Sequence, residues 1–144
     1  MNSETFKKSL DLYFRYLDKR LEEIDWSPFT KDFRKMYNKK NGVYLVSRED
    51  NNRGMRYIGK SSQNLDKRCA GIYDRLGSHW MNIEEGSHYR KESTQKLFSK
   101  GKGADRFWVK CLTNSDGLLE GMEECYEKYL MERFRECNLI NKNQ

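Results

Sequence analysis

The residues best suited to chemistry lie in three short stretches: Gly42-Val43-Tyr44, Tyr57-Ile58-Gly59-Lys60 and Asn64-Leu65-Asp66-Lys67-Arg68. Two tyrosines on adjacent antiparallel strands can bring their hydroxyls to one side of a sheet. A phenol titrates near pH 10 and is a poor base unless a nearby cation or metal-bound water lowers the barrier. Lys60 is placed to supply that cation, and the Arg68 guanidinium can clamp a phosphate with two N–H groups. These groups suit the hydrolysis of a phosphodiester, which needs a base and cations around the phosphate.

The order of these stretches, with twelve residues between Tyr44 and Tyr57, resembles the catalytic module of the GIY-YIG nuclease superfamily. Such modules begin with Gly-Ile/Val-Tyr, continue with Tyr-Ile/Val-Gly-Lys and place an arginine on the next helix. The resemblance covers residues 42–141. It implies catalytic roles for Tyr44, Tyr57, Lys60 and Arg68, and it implies that Gly59, Lys60 and Arg68 contact the substrate.

The resemblance further implies a metal-binding glutamate on the last helix and an asparagine near the end of the module. Glu127 fits the spacing as a catalytic residue and metal ligand, with Asn141 as the substrate-binding asparagine, although the proline that precedes this asparagine in the family is missing. Glu123, one helical turn earlier, is the alternative. One carboxylate would hold one Mg²⁺ (or Mn²⁺) ion per site, and the ion would keep most of its waters. His79 is the candidate for the catalytic histidine that some family members carry after the arginine.

The charge distribution points to a polyanionic partner. The chain carries a formal net charge of +6, and residues 51–110 hold 13 basic against 6 acidic side chains, with aromatic residues between them. Double-stranded DNA is the partner that such a surface and the resemblance both indicate. No apolar run approaches the roughly 18 residues that span a bilayer, and the N-terminus lacks the apolar core of a secretory signal. We therefore expect no membrane partner and a cytoplasmic location, in a bacterial or phage-infected cell.

The apolar periodicity predicts an α+β fold with a small three-stranded antiparallel sheet flanked by helices. The predicted helices cover residues 4–24, 30–38, 65–76, 93–100 and 118–135, and the predicted strands cover 42–46, 55–59 and 106–112. Ser3 and Asn64 are the expected N-caps of the first and third of these helices. The polar run at 38–42 divides the chain into an N-terminal helical extension, residues 1–41, and a nuclease domain, residues 42–144.

Two questions stay open at the level of the sequence. The helix at 4–24 carries an apolar stripe that includes Leu10, Phe14, Leu17 and Leu21, and it buries this stripe either on its own domain, which we favour slightly, or in a homodimer. The function indicated is that of a compact DNA endonuclease, restriction-like or of the phage type that degrades host DNA. The alternative is a catalytically silent nucleic-acid-binding protein on the same scaffold, and a purely structural protein–protein module is a third class.

Overall fold

A four-stranded antiparallel sheet organises the part of the chain that the computed structural model describes, residues 2–77, 107–137 and 139. Its strands are β1 (Ser27–Pro28), β2 (Gly42–Ser47), β3 (Met55–Ser61) and β4 (Trp108–Thr113), in the order β1-β4-β2-β3. The predicted hairpin is confirmed as β2 paired with β3, with Tyr44 opposite Gly59 and Val46 opposite Tyr57. The α+β class is confirmed as well.

The sheet has one strand more than predicted. Ser27 and Pro28 pair with Val109 and Trp108 of β4, and the Phe29 amide donates to the carbonyl of Phe107 at 2.9 Å. Proline is tolerated here because β1 lies at the edge of the sheet, where a missing N–H leaves no ladder position unfilled. A strand of two residues is too short to show a period-two pattern, and so the sequence predicted no strand here.

The described helices are α1 (Ser3–Glu22), α2 (Lys31–Lys35), α3 (residues 72–77, where the described segment ends) and α4 (Glu123–Arg133). The N-cap of α1 is Asn2, whose side chain accepts from the Thr5 amide at 2.8 Å, and so the prediction of Ser3 was wrong. The last helix is shorter than predicted because Gly117 and Gly121 have positive φ, 98° and 94°, and therefore prevent helix formation before Met122. The helix predicted at 93–100 lies outside the described residues.

The helix predicted at 65–76 begins only at residue 72. Asn64 accepts from the Asp66 amide at 3.0 Å but caps only a turn at residues 65–66, a local bond that competes with helix formation. Gly71 then adopts a left-handed φ of 76° and pairs with Lys40 in an isolated parallel bridge. Since glycine is a poor residue for a helix interior and a good one for positive φ, this glycine separates the loop at 62–71 from α3.

The two faces of the sheet carry separate cores because successive side chains of a strand point to opposite faces. On one face, α2 and α3 pack on Tyr44, Val46 and Val109. On the other face, α1 and α4 pack on Val43, Leu45, Ile58 and Leu112. The buried residues of this second core are Phe14, Leu17, Leu21, Val43, Leu45, Met55, Ile58, Leu112, Leu118, Tyr126, Leu130 and Leu139.

The apolar stripe of α1 is buried within the chain, as we favoured from the sequence. Phe14, Leu17 and Leu21 are buried and Leu10 is partly buried against the same core. Residues 1–41 thus supply β1 to the sheet and apolar side chains to both of its cores. Among the described helices, none combines the length and the apolar character needed to cross a bilayer.

Candidate active site

A cleft of about 540 Å³ lies along the outer edge of β3. Tyr57 and Gly59 reach it from the face of the sheet that carries α3, and Lys60, the next residue along the strand, belongs to the opposite face. Arg75 of α3 and Glu127 of α4 line it from the two sides. Because β3 is the terminal strand of the described sheet, helices packed on opposite faces can both present a side chain to this one edge.

The tyrosine pair is held by the two glycines of the motif. An ideal Cβ on Gly59 would lie 2.5 Å from the hydroxyl oxygen of Tyr44, and one on Gly42 would lie 2.7 Å from the Cα of Thr113 in β4. Any side chain at either position would displace a ring or a strand. Tyr44 is fully buried, and its ring stacks beside that of Tyr57 with centroids 6.1 Å apart and planes 20° apart. Tyr57 therefore lines the cleft, and Tyr44 lies buried beside it.

Tyr57 is hydrogen-bonded to both Tyr44 and Arg75. Burial raises the pKa of the Tyr57 hydroxyl above its ordinary value, and the Glu127 carboxylate raises it further, while Arg75 and the two hydrogen bonds oppose the shift. The phenol consequently keeps its proton at neutral pH. Additional positive charge beside the Tyr57 hydroxyl would lower its pKa and so favour the phenolate.

Glu127 lies in the cleft within reach of three cations and a second carboxylate. Burial raises its pKa; Glu124 also raises it, whereas Lys60, Arg75 and Lys128 lower it. Glu124 lies one turn away on α4 and lines the same cleft, so two carboxylates three residues apart face one space. A hard divalent ion such as Mg²⁺ binds through one or two carboxylates and retains several waters, and this donor set fits such an ion. Within the described residues, no group of three or more His, Cys, Asp or Glu side chains is placed so that it could hold a metal ion.

Glu123 is turned away from the cleft. It is 2% exposed, and its two carboxylate oxygens accept from the Gly121 amide at 2.8 and 3.1 Å. This contact satisfies a backbone donor just before α4, as a carboxylate near a helix N-terminus commonly does. Of the two glutamates that the sequence left open, the structure brings Glu127 into the cleft.

The arginine that lines the cleft is Arg75, whereas the sequence predicted Arg68 for this position. Arg68 is exposed in the loop at 62–71, does not line the cleft, and offers its carbonyl to the Asn38 side chain at 3.3 Å. Arg75 was missed because the helix was expected to begin at residue 65. The signal that could have found it is Gly71, since Arg75 is the first arginine on a helix that starts after this glycine.

The wall of the cleft next to Lys60 depends on a polar residue that the sequence did not single out. The buried Asn41 side chain accepts from the Ser61 hydroxyl at 2.9 Å and the Gln63 amide at 3.1 Å, and donates to the Gln63 carbonyl at 2.8 Å. It thereby fastens the end of β3 to the start of β2. Lys60 Nζ donates to the Ser62 hydroxyl at 3.0 Å, which orients the ammonium group along this wall.

The structure thus brings together Tyr44, Tyr57, Gly59, Lys60 and Glu127 of the predicted site and adds Arg75. His79 and Asn141 lie outside the described residues, and Arg68 stands apart from the cleft. A scan against protein-family models, a search of curated proteins and a search of solved structures each found no match to this chain.

Proposed function

We propose that this chain is a divalent-metal-dependent DNA endonuclease of the GIY-YIG type, restriction-like or of the phage type that degrades host DNA. The observation that carries the proposal is the convergence of Tyr57, Lys60, Arg75 and Glu127 on one cleft at the edge of β3. Hydrolysis of a phosphodiester needs cations at the phosphate and a base for the attacking water. The cleft supplies two cations, a phenol that can hydrogen-bond the water and a carboxylate that can hold a metal ion. The cleft supports the chemistry that the sequence pattern indicated, and it adds Arg75, which was not part of the pattern.

Each residue then has a distinct task. Arg75 and Lys60 bind the non-bridging oxygens of the scissile phosphate and neutralise the charge that develops on them. Tyr57 orients the attacking water by a hydrogen bond, and Tyr44 acts through Tyr57 as a positioning residue. Glu127, with Glu124 beside it, would hold one Mg²⁺ or Mn²⁺ ion. When bound, such an ion supplies Lewis-acid stabilisation and lowers the pKa of a coordinated water.

The substrate proposed is double-stranded DNA in the cytoplasm of a bacterial or phage-infected cell. The net charge of +6 suits a polyanion. One cleft breaks one strand at a time, so a double-strand break needs a second binding event or a second copy of the chain, and a transient homodimer on DNA satisfies that need.

The test is cleavage of supercoiled plasmid by the purified full chain with Mg²⁺, with Mn²⁺ and with EDTA. We expect nicked or linear products with either ion and none in EDTA. Glu127→Gln should lower the rate a hundredfold or more, and the matched control Glu132→Gln, exposed on the same helix, should cut like wild type. Undiminished cutting in EDTA would contradict the proposal. DNA binding without cleavage under any divalent ion would favour the catalytically silent alternative.

A further inference from the structure

Five exposed cations lie on two neighbouring segments outside the cleft, and we call them the basic rim. They are Lys35, Lys39, Lys40, Lys67 and Arg68. None of the five takes part in an ion pair with another described residue. The charge of the rim is therefore not neutralised by those parts of the chain that the structure describes.

Hydrogen bonds hold the two segments of the rim together. The Asn38 side chain donates to the Arg68 carbonyl at 3.3 Å and accepts from the Ala70 amide at 3.3 Å. The Lys39 amide donates to the Ala70 carbonyl at 3.0 Å. Lys39 itself has a φ of 60°, a conformation that a non-glycine residue adopts only when its surroundings impose it. The backbone that carries the cations is thus fixed before any ligand arrives.

The loop at 62–71 links the rim to the cleft. It starts at Ser62 and Gln63, which line the cleft, passes through Lys67 and Arg68, and ends at Gly71. The Gln63 side chain accepts from the Gly71 amide at 3.0 Å, which closes the loop on itself. α3 follows directly and returns to the cleft with Arg75. The rim and the cleft are therefore joined by one short loop whose two ends both meet the cleft wall or α3.

We propose that the basic rim binds the backbone of duplex DNA beside the scissile phosphate, without reading its sequence. Lysine and arginine side chains on a fixed scaffold contact phosphates and release counterions, which is the interaction that dominates sequence-independent DNA binding. Asp66, which precedes Lys67 in the loop, is the acidic residue adjoining the five cations in the sequence of these segments, so the rim keeps a surplus of positive charge. Arg68 thereby contributes to the affinity for DNA and not to the cleavage step. The inference rests on the proposed function for the position of the phosphate, and it is tested by binding alone.

The rim variant combines Lys39→Asn, Lys67→Ser and Arg68→Ser in a full chain that also carries Glu127→Gln, so that no DNA is cut. Asparagine at position 39 tolerates the positive φ of the backbone. Affinity for a short duplex is measured in EDTA between about 50 and 200 mM salt. We expect binding at least tenfold weaker, and a slope of log affinity against log salt that is shallower by about 2 to 3, because each lost phosphate contact removes about 0.9.

The matched control removes three positive charges from the exposed face of α1 by Lys7→Ser, Lys8→Ser and Lys19→Ser. We expect the control to retain most of the affinity and the slope. Equal losses in both variants would show diffuse attraction and overturn the inference, as would unchanged binding in the rim variant. Unchanged duplex affinity together with weaker binding to anionic vesicles would overturn it in favour of a lipid surface. Failure of wild type to cleave, with binding still lost in the rim variant, would refute the nuclease but not the rim.

Discussion

The two sides of the cleft are supported in different ways. The carboxylate side, which presents Glu127, belongs to α4, and side chains connect this helix to α1. The Tyr126 and Tyr129 hydroxyls donate to the two oxygens of Asp18 at 2.8 and 2.7 Å. Arg133 lies 3.2 Å from the same carboxylate. The cation side, which presents Arg75, belongs to α3. Arg34 of α2 donates to the Tyr73 carbonyl of α3 at 3.0 Å, and its guanidinium stacks 4.0 Å from the centre of the Tyr73 ring.

This difference shows that a helix far from the cleft can be part of its support. Tyr126 and Tyr129 flank Glu127 in the sequence of α4, so the Asp18 network fixes the rotation of the helix that presents Glu127. The cation side depends instead on the backbone of the loop at 62–71 and its contacts with residues 38–41. The carboxylate side should therefore respond to changes in α1, and the cation side to changes in the loop.

Removal of residues 1–40 should have the largest effect on both sides at once. The deletion takes away β1 and five buried side chains: Phe14, Leu17, Leu21, Phe29 and Phe33. Burial of each contributes about 1.5–3 kcal/mol, which together matches the roughly 5–15 kcal/mol that stabilises a whole domain. We expect the 41–144 fragment to lack a cooperative unfolding transition by circular dichroism. A soluble fragment that unfolds cooperatively and cleaves DNA would show the extension to be dispensable.

A pair of substitutions in α1 gives a graded form of the same test. Leu17→Ala should lower the free energy of unfolding by about 2–5 kcal/mol because Leu17 is fully buried. Leu12→Ala, at a leucine that is 65% exposed, should change it by less than about 0.5 kcal/mol. Urea denaturation measures both. Equal effects of the two substitutions would contradict the packing of α1 on the sheet.

The cation side is tested by the two arginines that the sequence and the structure assign differently. Arg75→Ala should lower the rate of plasmid cleavage a hundredfold or more at saturating protein, since charge stabilisation of this kind contributes about 2.7–4 kcal/mol. Arg68→Ala should weaken DNA binding and leave the saturated rate nearly unchanged. Arg135→Ala, at an arginine 66% exposed beside α4, is the control. A larger loss of saturated rate in Arg68→Ala than in Arg75→Ala would return the catalytic role to Arg68.

These arginines also mark where sequence reasoning succeeded and where it did not. The hairpin, the α1 stripe and the placement of Tyr44 beside Tyr57 were predictable because they follow local periodicity and turn chemistry. The position of Arg75 was not, since it depends on the left-handed Gly71 and its contact with Lys40. The choice between Glu127 and Glu123 depends on which carboxylate meets the Gly121 amide. Such contacts depend on the path that the backbone takes in three dimensions, which the spacing of residues in the sequence does not determine.

The carboxylate side is tested through Asp18. Asp18→Asn removes the charge that three donors share, and we expect the free energy of unfolding to fall by about 1.5–3 kcal/mol, the contribution of hydrogen bonds to a charged group. We also expect a higher Mg²⁺ concentration for half-maximal cleavage at a temperature well below unfolding, because α4 is less firmly held. Asp11→Asn, on the exposed face of α1, should change neither quantity. An unchanged Mg²⁺ dependence in Asp18→Asn would limit the network to a structural role.

The smallest expected effect concerns the pH dependence of stability. Because the pKa of Glu127 is raised in the folded state by burial, the folded chain binds this proton more tightly than the unfolded chain does. Its contribution is most favourable at acidic pH and is lost as the pH rises through the folded pKa. Glu127→Gln should thus be slightly more stable than wild type at neutral pH, and this gain should vanish in acid. A variant less stable than wild type at neutral pH would show that the carboxylate serves the fold.

The most direct test of the cleft as a metal-dependent site is a Mn²⁺ titration of the full chain followed by electron paramagnetic resonance. We expect one bound ion per chain, lost in Glu127→Gln and retained in the control Glu132→Gln, with loss of plasmid cleavage in the same variant that loses the ion. One ion retained by Glu127→Gln, or cleavage that persists when the ion is gone, would contradict the proposal that Glu127 holds a catalytic metal at the edge of β3.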